Sequence, residues 1–183
     1  MYQFSHFHPF VATFQEKQAF GGRVLVSQLT FKDKKGKNKL KHGSGSFSHV
    51  EFYKTGQLGW TDNYDPRYSL AFLDVGDVKK ANRKPSFVEN CAFHRGFAPA
   101  VGVFATSRLK MTGNVMYNTV GSAMVVWGDQ NEVIDNLMVS NLWAPVFNGR
   151  KEKNKKMEAA LEIGKLYSGY NCASVNSVMS QMN

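Results

Sequence analysis

Two acidic residues, Glu89 and Asp135, each stand immediately before an asparagine, Asn90 and Asn136. Carboxylates repeated along a chain in this way could work as an acid/base pair on a glycosidic bond, or share a calcium ion. Two layers of stacked strands would hold them about 9–10 Å apart, too far for a shared calcium and marginal for an inverting pair. The equivalent place between them is Gly113, which supplies no reactive group. Asp62, Asp65, Asp74 and Asp77 form a looser group without the regular short offsets of a calcium loop. His6 and His8 lie two residues apart, as metal ligands on one strand face do, but no third ligand is near them in sequence. Ser122 lacks the flanking pattern of a nucleophile elbow. His94, beside Arg95, reads as a surface or corner residue or else as a glycan contact. The cysteines, Cys91 and Cys172, are too few for a disulfide framework and have no zinc spacing. Cys91 reads as a buried thiol level with Val115. Trp127 reads as a corner-packing residue, with stacking on a sugar ring as the alternative. These residues predict no catalytic site, no metal and no cofactor.

Binding chemistry is better represented. The formal net charge of +9 resides in two short runs. Lys32 to Lys41 holds six lysines and one aspartate, and Arg150 to Lys156 holds five basic residues and one glutamate. The rest of the chain is neutral, with 12 basic and 12 acidic residues. Charge runs are ordinarily solvated turns. The sharper reading makes Lys34, Lys35, Lys37, Lys39, Lys41, Arg150, Lys151, Lys153, Lys155 and Lys156 contacts for a sulfated or carboxylated glycan or another polyanion. Nucleic acid is the weakest option, because neither run interleaves aromatic residues for base stacking.

The elements that must position these groups show a repeat. Asn90-Cys91-Ala92-Phe93-His94, Asn114-Val115-Met116-Tyr117-Asn118 and Asn136-Leu137-Met138-Val139-Ser140 align at spacings of 24 and 22 residues. His49-Val50-Glu51-Phe52-Tyr53 is a looser copy. Apolar residues at the second and fourth places predict strands with Val50/Phe52, Cys91/Phe93, Val115/Tyr117 and Leu137/Val139 facing inward. A second strand follows each copy: Leu70-Ala71-Phe72, Val101-Gly102-Val103, Met124-Val125-Val126 and Leu161-Glu162-Ile163. A period of this length with several short strands predicts an all-β fold, a parallel β-helix, whose turns bury their apolar faces by stacking. Asn90, Asn114 and Asn136 are then candidates for a structural amide ladder at one corner. An antiparallel sandwich would want hairpin signals, and the one Asn-Gly, Asn148-Gly149, leads into a basic run.

Residues 21–163 carry a resemblance. Phe87-Val88-Glu89-Asn90-Cys91-Ala92-Phe93-His94-Arg95-Gly96-Phe97-Ala98-Pro99-Ala100-Val101-Gly102-Val103-Phe104 is its longest segment. Asn118-Thr119-Val120-Gly121 running to Val126-Trp127-Gly128, Leu142-Trp143, and Ala159-Ala160-Leu161-Glu162-Ile163 add to it, as do Gly22-Arg23-Val24-Leu25-Val26 and Asp65-Pro66-Arg67-Tyr68. Together they resemble the fibrocystin family, nearest its fibrocystin-L branch. The resemblance implies a right-handed parallel β-helix from the ectodomain of a large, single-pass, receptor-like surface protein with no assigned enzymatic activity. The same β-helix is similar to that of the hyaluronan-depolymerising surface proteins, the cell-migration-inducing hyaluronan-binding protein and transmembrane protein 2. In those proteins the strand matching Ser69 to Leu73 carries two histidines two residues apart. Here the matching positions are Ala71 and Leu73, which lowers the enzymatic reading.

The expectations are therefore an N-terminal flank (1–20), an uncapped partial β-helix of about four turns (21–163) and a divergent, disordered tail (164–183). With 43% apolar and 20% charged residues the chain is neither disordered throughout nor a membrane bundle. No stretch reads as a membrane span or secretion signal, and localisation at the cell surface follows only from the resemblance. Expected partners are a glycan or an extracellular protein, with a glycan-degrading enzyme and a polyanion-binding module as alternatives.

Overall fold

The chain turns corners on residues in the left-handed region, and these residues fall into columns. His49, Asn90 and Asp135 have φ of 57°, 52° and 53°, with Gly113 level with them at 66°. Lys54, Arg95 and Asn118 form a second column at 53°, 54° and 55°. Arg108 and Gln130 begin a third at 60° and 53°. A single left-handed residue between two extended segments bends a strand sharply, and Gly and Asn tolerate it best.

The computed structural model describes residues 19–57, 67–80, 84–139, 161–164 and 174–176. Between the corners lie β1 (Val24–Lys32), β2 (Asn38–His42), β3 (Ser46–Ser48), β4 (Glu51–Tyr53), β5 (Leu70–Asp77), β6 (Phe87–Glu89), β7 (Ala92–His94) and β8 (Val101–Ser107). They continue as β9 (Lys110–Thr112), β10 (Val115–Tyr117), β11 (Met124–Trp127), β12 (Glu132–Ile134), β13 (Leu137–Val139), β14 (Leu161–Gly164) and β15 (Ser174–Asn176). Three sheets result. The first is ordered β14-β11-β8-β5-β1-β2, the second β15-β12-β9-β6-β3, the third β13-β10-β7-β4. Each passage of the chain, as in β5-β6-β7 or β8-β9-β10, gives one strand to each sheet. Every pairing between these strands is parallel except β1 with β2. This is a parallel β-helix, and the described residues contain no helix.

The core is built of columns of like side chains. Leu70, Val101, Met124 and Leu161 line one strip of the first sheet, with Val26, Phe72, Val103 and Val126 beside them. Phe47, Val88, Met111 and Val133 stack inside the second sheet. Phe52, Phe93, Met116 and Met138 stack inside the third, where the two Phe rings lie parallel with centroids 4.4 Å apart. Burying each such side chain contributes about 1.5–3 kcal/mol.

The third sheet corrects the repeat register. Its inward residues are Met116 and Met138, whereas Val115, Tyr117 and Leu137 face solvent. Ala92, not Cys91, pairs with Val115. Cys91 is therefore level with Asn114 and Asn136, and Asn90 is one residue early, level with Gly113 and Asp135. All three residues of β10 and of β13 are apolar, so alternation could not choose between faces, and a slip of one residue turns every side chain over.

The amide ladder accordingly contains Asn114 and Asn136 but not Asn90. Asn114 Oδ1 accepts the Cys91 N–H at 3.0 Å, and its Nδ2 donates to the Val88 carbonyl at 2.9 Å and to Asn136 Oδ1 at 2.8 Å. Asn136 Oδ1 also accepts the Asn114 N–H at 2.9 Å, and its Nδ2 donates to the Met111 carbonyl at 2.9 Å. A second ladder, missed in the sequence, occupies another corner. Asn131 Oδ1 accepts the Leu109 N–H at 2.9 Å, and its Nδ2 donates to the Thr106 carbonyl at 2.9 Å. Two layers earlier, Ser86 Oγ accepts the Gly45 N–H at 3.2 Å. In each case a side chain just after or at the corner satisfies a backbone N–H of the preceding layer that would otherwise be buried without a partner.

β2 runs antiparallel along residues 28–32 of β1, past the four residues of β1 that pair with β5. One boundary expectation changes. β15 adds residues 174–176 to the second sheet, parallel to β12, so part of the segment expected to be a disordered tail continues the stack. Residues 1–18 of the N-terminal flank lie outside the described residues.

Asn114→Ala will lower stability by about 2–5 kcal/mol in urea unfolding, since it strands a buried N–H and a buried carbonyl. Asn90→Gly will change it by less than about 1 kcal/mol, because it keeps the left-handed corner. Equal losses at the two positions would restore the register with Asn90 in the ladder.

Candidate functional site

The first basic run is half strand. Residues 24–27 of β1 pair with β5. From Gln28 onward β1 pairs with β2 alone, in the register Gln28↔His42, Leu29↔Lys41, Thr30↔Leu40, Phe31↔Lys39 and Lys32↔Asn38. The result is a two-stranded arm. Its tip is tied by Asp33, whose Oδ1 accepts the N–H groups of Lys35 and Lys37 at 2.8 and 2.9 Å. The one acidic group of the run is thus engaged by the turn. Opposite residues of an antiparallel pair share a face, so Leu29, Phe31, Lys39 and Lys41 line one side, while Lys32 and Leu40 belong to the other. The arm brings the aromatic residue that the run itself lacks to a place across from Lys39. Leu29 is 60% exposed and Phe31 44%. The lysines at 34, 35, 37, 39 and 41 are exposed, and no acidic side chain among the described residues pairs with them. The second run, with Arg150, Lys151, Lys153, Lys155 and Lys156, lies outside the described residues, as do His6, His8, Asp62, Asp65, Trp60, Trp143 and Cys172.

Layers stacked above the arm carry an apolar cluster on the outside of the first sheet. Tyr68, Ala71, Ala98, Phe104 and Val125 are buried there, with Leu73, Val120 and Trp127 packed against them. The Tyr68 and Phe104 rings lie 5.7 Å apart, and Phe104 meets Trp127 edge-on at 5.5 Å. Gly102 makes room for Tyr68: a Cβ at that position would stand 2.2 Å from the Tyr68 ring. Trp127 therefore packs half-buried against Phe104 on the outer face of the sheet and not at a corner, and its indole N–H is buried without a partner. Ala71 and Leu73 both belong to this cluster.

The titratable side chains are dispersed over separate pairs. Glu89 accepts from Lys110 Nζ at 3.1 Å, level with Thr112 and Ile134. Asp135 occupies the adjacent corner column, so the two carboxylates do not share a row. Asp77 pairs with Arg108 at 3.4 Å and accepts the Lys79 N–H. Lys79 reaches Glu132 at 2.7 Å. His94 Nε2 lies 2.6 Å from Glu51 Oε1, and its ring rests against Tyr53 with centroids 5.0 Å apart. Among the described residues, no group of three or more His, Cys, Asp or Glu could hold a metal ion. The surface thus offers cationic and apolar contacts and short paired rows.

Comparison with known proteins agrees with this architecture. The family model of the CEMIP beta-helix matches residues 36–178. The chain belongs to the CEMIP beta-helix family. Human fibrocystin-L is 36% identical over 166 residues, which is 90% of this chain and 4% of that protein. Mouse fibrocystin-L is 36% identical over 165 residues, again 90% of this chain and 4% of its own length. The chain spans only that small share of these relatives. No solved structure matches it. The kinship expected from the residue motifs is borne out for fibrocystin-L and for the CEMIP relationship alike.

Within this CEMIP beta-helix, Cys91 takes the place that asparagine holds in the next two layers. It is buried, and its Sγ lies 3.3 Å from the Glu89 carbonyl. Burial pushes the thiol pKa up, against smaller opposing effects from backbone hydrogen bonds. The thiol is therefore protonated at neutral pH and is no nucleophile. Because the folded pKa lies above the unfolded one, its contribution to stability is full below the unfolded value and is lost as pH rises through the folded value. In a Cys172→Ser chain, Cys91 will react with a thiol reagent at neutral pH only as fast as the protein opens. Gly102→Ala will lower the melting temperature, with a cost of about 1–3 kcal/mol from overpacking. Combining it with Tyr68→Ala will cost less than the two single changes added together, as measured by a double-mutant cycle.

Proposed function

We propose that the chain is a non-catalytic segment of an extracellular, receptor-like surface protein of the fibrocystin-L kind. It acts as a stiff right-handed β-helix of about four turns that holds ligand-contacting loops at fixed spacing. The supporting observation is the outer face of the first sheet. Where the hyaluronan-depolymerising relatives are expected to carry two histidines, Ala71 is buried in the cluster with Tyr68, Phe104 and Val125, and Leu73 is half-buried against it. An imidazole at Ala71 would lose its water among these apolar side chains, and burying an uncompensated polar group costs about 1–3 kcal/mol. Placement at the cell surface is supported by the similarity to fibrocystin-L. Its partners on this reading are a glycan or another extracellular protein, met by side chains that bind without bond cleavage.

Hyaluronan of a single length, incubated with chain whose β structure circular dichroism has verified, will leave a sizing column with its length unchanged. Addition of a chelator will alter neither the elution nor the thermal unfolding of the chain. Shortened polymer would overturn this reading in favour of a glycan-degrading enzyme.

A further inference from the structure

We infer that the arm formed by residues 28–42 is a binding site for a sulfated glycan chain, with Lys39 and Lys41 beside Phe31 and Leu29 as its working face. The inference rests on the surface-protein reading above, and it extends that reading to a specific site and ligand class.

Lysines on an edge strand have a simpler use. They keep the edge from pairing with another chain. That accounts for Lys39 and Lys41 on β2 but not for their surroundings. A ribbon with no sheet beneath it is marginal in water, and this one exposes Leu29, Phe31 and Leu40, the last at 48%. It also places Lys34, Lys35 and Lys37 at its tip, where there is no edge to protect. Five unpaired cations within one short arm repel one another, a cost that a bound polyanion converts into attraction.

The geometry selects the class of anion. Lys39 and Lys41 share a face about 7 Å apart, and a five-residue ribbon extends about 17 Å. Phe31 and Leu29 lie directly across from these two lysines. A sugar ring can rest its C–H face on Phe31 while charges on either side of it meet the two ammonium groups. Several lysines within that length call for several charges per disaccharide, as sulfated chains carry. A glycan with one carboxylate for every two sugars would leave most of them unmatched. Leu40, paired with Thr30, faces the other side from Phe31 and Leu29, so the ribbon does not gather its apolar residues on one face.

The full chain is titrated with heparin fragments of one length, with hyaluronan of equal length, and with vesicles containing phosphatidylserine. Heparin will bind at least 10-fold more tightly than hyaluronan, with an affinity that falls steeply with salt, as expected when cations release counterions. Replacing Lys34, Lys35, Lys37, Lys39 and Lys41 by Ser will weaken heparin binding about 30-fold and flatten that dependence. Leu29→Ser with Phe31→Ser will weaken it several-fold and leave the salt dependence unchanged. Circular dichroism and the melting temperature serve as the check that each variant is folded. Replacing Arg150, Lys151, Lys153, Lys155 and Lys156 by Ser will leave heparin affinity within about 3-fold, and a larger loss than that of the arm variant would overturn the assignment. Heparin affinity that survives the five changes in the arm, or vesicles or hyaluronan bound more tightly than heparin, would overturn the assignment. Such a result leaves the non-catalytic reading standing. Shortened hyaluronan overturns that reading whatever heparin does.

Discussion

The stack depends on how its corners are satisfied. A parallel β-helix forces the chain to turn sharply between short strands, and at each turn backbone N–H groups face inward, away from water. Asn114 and Asn136 meet those of one corner, and Asn131 with Ser86 meets those of another. The residue just before each ladder asparagine is left-handed, as in Gly113, Asp135 and Gln130. That backbone state aims the next side chain into the corner. Register, core columns and outward faces all follow from this pair of positions, because a strand held at its corner cannot slide by one residue.

Once the corners are set, the two faces of each sheet acquire different roles. Inward columns of Phe, Met, Val and Leu supply the burial that holds the layers together. Outward positions are free of that demand, and the chain uses them unevenly. The third sheet presents Tyr117 beside the His94–Glu51 pair. The first sheet builds a second apolar cluster on its outside, for which Gly102 leaves the space. The histidines expected in the depolymerising relatives would fall within that cluster. Ala71 and Leu73 belong to that surface, packed with Tyr68, Phe104 and Trp127.

The arm has a separate logic. Continuing β1 past its last pairing with β5 frees a ribbon from the stack, and β2 returns along it. Antiparallel pairing then places residues distant in sequence on one face. Phe31 and Lys39 lie eight residues apart yet directly opposite. The lysines of the arm make it the most cationic surface among the described residues.

Much of the fold was legible in the residues. Repeat spacing near 22–24, the triplets from Leu70-Ala71-Phe72 to Leu161-Glu162-Ile163, and the buried Asn114 and Asn136 were all readable, because stacking makes each layer repeat the chemistry of the last. Kinship with the fibrocystins came from the same motifs. The phase of the third sheet was not readable. Val115-Met116-Tyr117 and Leu137-Met138-Val139 are apolar throughout, and burial alone does not say which of three apolar neighbours turns inward. Asn90 was placed in the ladder for that reason. Asn131 carries no asparagine spacing, because its column holds Leu109 and Ser86 in the two preceding layers. The basic run showed its charge but not its partners, since a linear reading cannot see across a hairpin. Sequence by itself determined that layers would stack, which apolar residues line the first sheet, and to which family the chain belongs. Tertiary structure decided which atom faces which, because hydrogen bonds at the corners and pairing across the arm join residues that only folding brings together.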